Sequence, residues 1–101
     1  MSYTIHFSPE ASDDLTEILG YYKAQSSSDL QKRFITTFSK SLKTLENSPK
    51  SYSIRFKNAR CCVIKTFPYN LYYWVDDAQM SINIFAILHH SRQAKAWKKR
   101  L

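Results

Sequence analysis

The spacing of apolar residues changes from a helical period to a strand period near residue 50, and this change constrains the fold most. Up to residue 47, apolar residues recur every three or four positions in two stretches, which predicts two amphipathic helices. The two stripes are Ala11, Leu15, Ile18, Leu19 and Tyr22, then Leu30, Phe34, Phe38, Leu42 and Leu45. From residue 52 onwards apolar and polar residues alternate, which is typical of strands. We therefore expect a helical hairpin followed by a sheet.

Short polar segments set the boundaries of the predicted elements. The alternation in residues 3–7 predicts a first strand, and Ser8, Pro9 and Glu10 favour a helix start through capping, a fixed φ and the helix dipole. Residues 25–28 separate the two helices, and residues 47–49 end the second. Four further strands are predicted over residues 52–57, 60–67, 71–75 and 80–88, and the basic tail 93–101 can form a short helix.

This order of elements predicts an α+β fold in one domain that spans residues 1–101. We expect a β-α-α-β-β-β-β arrangement: a mainly antiparallel sheet, the helical hairpin on one face, and a short basic C-terminal helix. In the last strand, the alternation places one apolar set on one face and Phe85 with Ile87 on the other. The first set is Met80, Ile82, Ile84, Ala86 and Leu88. If Ile54 and Phe56 point to the helices, Arg55 and Lys57 point away from them.

Composition excludes several classes of protein. The 101 residues are 44% hydrophobic and 15% aromatic, which is too apolar for a disordered chain. A single glycine rules out a glycine-rich phosphate loop, and no apolar run approaches the roughly 18 residues of a membrane span. The first residues lack the features of a signal peptide, and the adjacent Cys61 and Cys62 are predicted to be free thiols. We therefore expect a cytoplasmic protein with no segment in the membrane.

The positive charge lies entirely in the second half of the chain. The net charge is +7; residues 51–101 hold nine basic residues against Asp76 and Asp77, whereas residues 1–50 hold six of each sign. Such asymmetry indicates an anionic partner, either nucleic acid, an acidic protein segment or a membrane surface. The sheet face away from the helices is the predicted binding surface, although a basic face can also be merely solvated. The predicted nucleic-acid-binding or target-binding residues are Arg55, Lys57, Arg60, Lys65, His90, Trp97, Lys98 and Lys99.

Residues suited to metal-independent phosphodiester cleavage also lie in this half. His89 and Tyr73 could transfer protons, and Arg92 could stabilise developing negative charge. The alternative is that His89 only packs or hydrogen-bonds at a strand end. Trp97 could likewise pack the tail on the sheet or stack on a ligand. No spacing suits a metal site, because His89 and His90 diverge and Asp76-Asp77 reads as a turn, so neither metal nor cofactor is expected.

Four segments resemble the RelE/ParE superfamily of toxins from type II toxin–antitoxin systems. They are Phe-Ser-Pro-Glu-Ala at 7–11, Phe-Pro-Tyr-Asn-Leu-Tyr-Tyr-Trp-Val-Asp at 67–76, Ile-Phe-Ala-Ile-Leu-His-His-Ser-Arg at 84–92, and Trp97. The resemblance implies a small cytoplasmic toxin that a cognate antitoxin neutralises within a hetero-oligomer. The chain departs from the superfamily pattern at Gln93-Ala94, where Asp-Pro is usual.

The resemblance also implies two possible activities. RelE-like members cleave mRNA on the ribosome, with His89, Arg92 and Tyr73 as the matching catalytic candidates here. ParE-like members inhibit DNA gyrase and are not nucleases, and the Leu-His-x-x-Arg pattern at 88–92 looks closer to these. A third hypothesis is a non-toxic module that binds nucleic acid through its charge.

Overall fold

Five strands and three helices make up the computed structural model, which describes residues 2–25, 28–91 and 94–101. They are β1 (Thr4–Phe7), α1 (Pro9–Ala24), α2 (Ser28–Asn47), β2 (Ile54–Phe56), β3 (Ala59–Val63), β4 (Tyr69–Asp76), β5 (Ser81–His89) and α3 (Ala94–Lys98). This order confirms the predicted α+β fold. Within these ranges no helix combines the length and apolarity that crossing a bilayer requires.

The five strands form one mixed sheet in the order β1-β5-β4-β3-β2. The ladders β2–β3, β3–β4 and β4–β5 are antiparallel, as expected, whereas β1 joins β5 in parallel. The parallel ladder follows from the connection. The helical hairpin carries the chain from β1 at one edge to β2 at the other, and the meander then returns to β1.

The β3–β4 connection is longer than the sequence predicted. Strand β3 ends at Val63 rather than at residue 67, because residues 64–68 form a turn. The Phe67 amide donates to the Ile64 carbonyl (3.3 Å), and Thr66 has a φ of 67° in the left-handed region. Strand β4 begins earlier than predicted, at Tyr69. The turn therefore brings residues 64–68 to the same end of the sheet as His89, the last residue of β5.

The helical hairpin covers one face of the sheet, as predicted. Helix α1 begins with a cap in which the Ser8 hydroxyl accepts the Ala11 amide (3.0 Å), and Pro9 occupies the first turn. The rings of Phe34 and Phe38 on α2 stack with centroids 5.6 Å apart. The buried residues of this cluster include Ile18, Tyr22, Phe34, Phe38, Leu45, Leu71, Tyr73, Ile82, Ile84 and Ile87.

A β-bulge in β5 reverses the expected faces of its second half. Tyr72 pairs with Ala86 and Tyr73 with Ile84, so Phe85 is an extra residue in the ladder. Ile87 consequently packs towards the helices, whereas Phe85, Ala86 and Leu88 pack on the opposite face. The prediction that Ala86 and Leu88 share a face with Ile82 and Ile84 is wrong, since one inserted residue shifts the alternation by one position.

The face opposite the helices carries a second apolar cluster that α3 covers. Trp97 stacks on Tyr72 with ring centroids 4.5 Å apart and planes 14° apart. Phe56 packs against the same cluster, while Ile54 is 54% exposed. The condition that both point to the helices is therefore not met, because a register irregularity between Ile54 and Phe56 breaks the alternation of edge strand β2. Tyr72 and Trp97 at the centre of this face are consequently buried.

Candidate functional site

Tyr73 lies in the core and not at a surface where a substrate could bind. Its side chain is fully buried on the helix side of the sheet, and its hydroxyl donates to the Pro49 carbonyl (2.7 Å). Burial raises the pKa of Tyr73, which keeps the phenol protonated. In this structure Tyr73 makes a structural contact, and its predicted catalytic role would require the side chain to leave the core. Arg92, the third member of the predicted catalytic set, lies outside the described residues.

His89 is exposed and is held in one orientation at the end of β5. Its Nδ1 accepts the Ser91 amide (3.0 Å) and lies 2.8 Å from the Ser91 hydroxyl. The neutral imidazole consequently carries its proton on Nε2, which can donate a hydrogen bond. The ring also meets Tyr69 edge to face, with centroids 5.4 Å apart. His89 is thus available for contact with a partner.

Two further predicted residues lie near this end of the sheet. His90 is exposed, and its amide donates to the Pro68 carbonyl (2.8 Å) in the β3–β4 turn. Lys65 is exposed in the same turn. His89, His90 and Lys65 therefore share the end of the sheet where β5 stops, which we call the loop end.

A separate cluster of cations lies at the β2 edge of the sheet. The Lys98 Nζ is 4.6 Å from the centroid of the Phe56 ring, and the Lys57 Nζ is 5.5 Å from it. Arg55 precedes Phe56 on β2 and Lys99 follows Lys98 just after α3, and both side chains are exposed. We call Arg55, Lys57, Lys98 and Lys99 the basic edge. Cations beside an aromatic ring offer charge for phosphates or carboxylates and an apolar surface for packing.

Arg60 and Trp97, both predicted to bind a target, make contacts within the fold. The Arg60 Nη1 donates to the carbonyls of Tyr52 (2.6 Å) and Lys50 (3.3 Å), which ties the α2–β2 connection to β3. Trp97 is 6% exposed, and Tyr72 covers its ring face. Of the two alternatives for Trp97, the structure therefore shows the one in which it packs the tail onto the sheet.

Sequence reasoning missed an ion pair that links α1 to the end of the chain. The Arg100 Nη1 is 2.6 Å from Asp14 Oδ2 and 3.2 Å from the Phe85 carbonyl, and the Ile87 amide donates to the same carboxylate (3.0 Å). These contacts satisfy the edge of β5 beyond Ile84, where the β1 ladder ends.

Asp14 lies on the inner side of α1 and is mostly buried. It follows Ala11 by three positions and precedes Ile18 by four, so it lies on the apolar stripe itself. An acidic residue within an apolar stripe indicates a buried carboxylate that needs a basic partner, and this pattern could have predicted the ion pair. The side chains of Arg100 and Asp14 are only 21% and 13% exposed.

The cysteines are buried and unpaired. Cys61 packs in the cluster beneath α3 and Cys62 in the cluster beneath the helical hairpin, since neighbours in a strand point to opposite faces. Burial raises the pKa of both thiols, so neither is a reactive thiolate. In the described ranges no group of three or more His, Cys, Asp or Glu side chains is placed to hold a metal.

Similar folds occur in toxin–antitoxin proteins. A chain from the chromosomal ParDE system of P. aeruginosa superposes with a TM-score of 0.71 at 15% identity, over 87% of this chain and 96% of that one. A chain of the intact E. coli RelBE toxin–antitoxin complex gives 0.65 at 16% identity, over 90% and 100%. The RelBE2 toxin–antitoxin complex from Mycobacterium tuberculosis gives 0.57 at 18%, over 88% and 99%. At these identities the likeness establishes the fold.

The sequence itself establishes the family. A search of curated protein sequences found no match. The family model that describes the ParE toxin of the type II toxin–antitoxin system parDE, however, matches residues 5–94, which is most of the chain. That match spans β1 through the start of α3 and confirms the resemblance to the RelE/ParE superfamily. The chain therefore belongs to the ParE toxin family of type II toxin–antitoxin systems.

Proposed function

We propose that this chain is a growth-inhibiting toxin that acts in the cytoplasm on DNA gyrase and that a cognate antitoxin neutralises it in a hetero-oligomer. Membership in the ParE toxin family supports the toxin role and the antitoxin partner. The observation that carries the choice of target is the burial of Tyr73. Its hydroxyl bonds to the Pro49 carbonyl inside the core, which argues against a role for Tyr73 beside His89 in RNA cleavage.

A ribosome-dependent ribonuclease is the second candidate function. His89 is exposed at the loop end, and Ser91 fixes its ring so that Nε2 of the neutral imidazole can donate a hydrogen bond. Cleavage of an RNA chain also needs a group that removes the 2′-hydroxyl proton, and Nδ1 is already occupied by the Ser91 amide. This hypothesis therefore depends on a rearrangement at His89 that the gyrase hypothesis does not require.

The basic edge is the surface that we propose for contact with the target. It combines four exposed cations with the partly exposed ring of Phe56, and it lies apart from the loop end. Exposed charges at an interface accelerate association and select for a partner of opposite charge. The proposal needs neither a metal nor a cofactor.

Controlled expression with matched charge reversals tests this proposal. The double variant Arg55→Glu, Lys99→Glu reverses two cations of the basic edge, and Lys40→Glu, Lys43→Glu reverses two exposed cations on α2 with the same change in net charge. We expect the wild-type chain to stop growth and a co-expressed cognate antitoxin to restore it. The basic-edge variant should inhibit growth about tenfold less strongly, whereas the α2 variant should keep full toxicity.

Two outcomes would contradict the proposal. Growth that continues at high levels of the folded wild-type chain would remove the toxin role and favour a non-toxic binding module. Equal loss of toxicity in both double variants would show that net charge, and not the basic edge, determines the effect.

A further inference from the structure

An open cavity lies between α1 and the end of β5, away from the basic edge. Its volume is about 160 Å³, and its lining includes Glu17, Ile18, Tyr21, Tyr69, Ile87 and His89. It adjoins a larger cavity of about 430 Å³ that shares Tyr21, Tyr69 and His89. We call the smaller cavity the aromatic notch. Typical small-molecule sites have about 300–1,000 Å³, so the notch suits a single side chain.

Three rings surround the mouth of the aromatic notch. Tyr21 is 56% exposed although it is a large aromatic residue, and its ring lies 5.4 Å from that of Tyr22. Tyr69 and His89 meet edge to face at 88°, and Ser91 holds the imidazole from the other side. Aromatic faces carry partial negative charge and attract cations, arginine more often than lysine.

The notch also provides a carboxylate. Glu17 is exposed and makes no ion pair within the part of the chain that the structure describes, whereas Asp14, one turn earlier, already holds Arg100. Burial is the main cause that raises the pKa of Tyr69, and the charge of Glu17 also raises it. Glu17 is therefore close enough to the notch to attract a cation there. Helix α1 as a whole has four acids against Lys23, a net charge of −3 in a chain of +7.

We propose that the aromatic notch binds the side chain of an arginine from a partner protein. The aliphatic stem packs against Ile18 and Ile87, the guanidinium stacks on the rings of Tyr21 and His89, and Glu17 accepts two parallel N–H bonds. Arginine fits better than lysine because its planar, weakly hydrated head group both stacks and forms paired bonds. The neighbouring Arg100–Asp14 pair shows the same carboxylate–guanidinium chemistry on this helix. The proposal is independent of the identity of the cellular target.

A titration followed by NMR tests the site with a defined probe. Nα-acetyl-arginine amide is added to the purified chain while ring resonances of Tyr21, Tyr69 and His89 are observed, and Nα-acetyl-norleucine amide serves as the uncharged probe. We expect saturable shifts of these resonances with millimolar affinity for the arginine probe alone, because one side chain makes few contacts. Shifts that are equal for both probes, or that do not saturate, would overturn the proposal.

Three variants localise the binding. Glu17→Gln should weaken the arginine probe about tenfold, because it removes a charge-assisted pair of bonds. Tyr21→Ala should weaken it about threefold. Glu46→Gln removes the same charge from the far end of α2 and should leave affinity unchanged. Unchanged affinity in Glu17→Gln, with the fold intact by circular dichroism, would refute the site.

One further variant tests whether the occupant comes from a partner. Arg92 follows Ser91 in the sequence, and Ser91 lines the adjoining cavity. If Arg92→Ala binds the probe with the wild-type affinity, the notch is available to a partner, as proposed. If the probe binds only after Arg92 is replaced, the occupant belongs to this chain and the proposal is wrong.

Discussion

Tyr73 contributes a buried hydrogen bond whose energetic value can be measured. In Tyr73→Phe the Pro49 carbonyl loses the hydroxyl that it binds at 2.7 Å. An unsatisfied buried acceptor costs about 1–3 kcal/mol, so we expect the free energy of unfolding in urea to fall by roughly that amount. The control Tyr21→Phe changes an exposed phenol and should be neutral. Toxicity per folded molecule should persist in Tyr73→Phe; its loss at unchanged stability would restore a catalytic role.

Asp14 and Arg100 should contribute more to stability than an exposed ion pair. The Asp14 carboxylate receives both the Arg100 guanidinium and the Ile87 amide, and both charged side chains are mostly buried. Asp14→Asn should therefore lower the free energy of unfolding by about 2 kcal/mol, because hydrogen bonds to charged groups are worth about 1.5–3 kcal/mol. The control Asp13→Asn removes an exposed carboxylate from the same helix. Equal stability of the two variants in urea would contradict this role.

At the scale of elements, helix α3 covers the second apolar cluster and contacts it mainly through Trp97. Trp97 stacks on Tyr72 and meets Phe56 and Phe85. Truncation of a buried tryptophan to alanine costs about 3–5 kcal/mol, and we expect Trp97→Ala to fall near the lower end, because a helix of five residues can rearrange. Urea unfolding measures the loss. A loss below about 0.5 kcal/mol would show that α3 does not dock on the sheet.

The β4–β5 turn is joined to β1 and to the α2–β2 connection by an exposed network that depends on pH. Asp77 accepts the Lys50 ammonium (2.7 Å) and the Tyr3 hydroxyl (2.9 Å), and these contacts hold the pKa of Asp77 below its usual range. A lowered pKa in the folded state means that the contribution is complete above about pH 5 and is lost as pH falls further.

The variant Asp77→Asn tests this dependence. As the pH is lowered from about 5 to about 2, the free energy of unfolding in urea should fall less for this variant than for the wild type. Asp76→Asn is the control, since Asp76 accepts only the Gln79 amide among the described contacts. Identical acid profiles for Asp77→Asn and the wild type would contradict the network.

Local periodicity predicted the elements but not every face that they present. The two helical stripes were confirmed because each has a distinct polar side, which fixes its orientation. Strand β5 is apolar on both sides, so its sequence does not show which residues face the helices. The bulge at Phe85 could therefore not be predicted. The burial of Tyr73 could not be predicted for the same reason, because Tyr73 lies between the aromatic residues Tyr72 and Trp74.

The sequence predicted which types of residue form the candidate site, but not which of them lie close together in the fold. Lys57 and Lys98 come together at the Phe56 ring because Trp97 of α3 packs against Phe56 of β2, a long-range contact that local spacing does not report. Arg60 reads as another exposed cation in the sequence, yet carbonyls from the preceding connection bind it. Which backbone carbonyls a charged side chain binds depends on the distant groups that lack partners, and that is a property of the whole fold.

For the whole molecule, charge of opposite sign lies at opposite edges of the sheet. Acidic helix α1 packs against β1 and β5, whereas the basic edge lies at β2, on the far side of the sheet order. Two surfaces of different charge favour partners of different charge. This distribution agrees with a toxin that meets both an antitoxin and a cellular target.

The most direct test of the proposed function compares the two targets in parallel with one preparation of the purified chain. One arm measures supercoiling of relaxed plasmid by DNA gyrase, and the other measures mRNA cleavage by primer extension in a translating extract. We predict that the chain inhibits supercoiling in proportion to its concentration, that the Arg55→Glu, Lys99→Glu variant does so about tenfold less well, and that the mRNA stays intact. Cleavage of mRNA at defined codons with supercoiling unaffected would contradict the account and establish the ribonuclease instead.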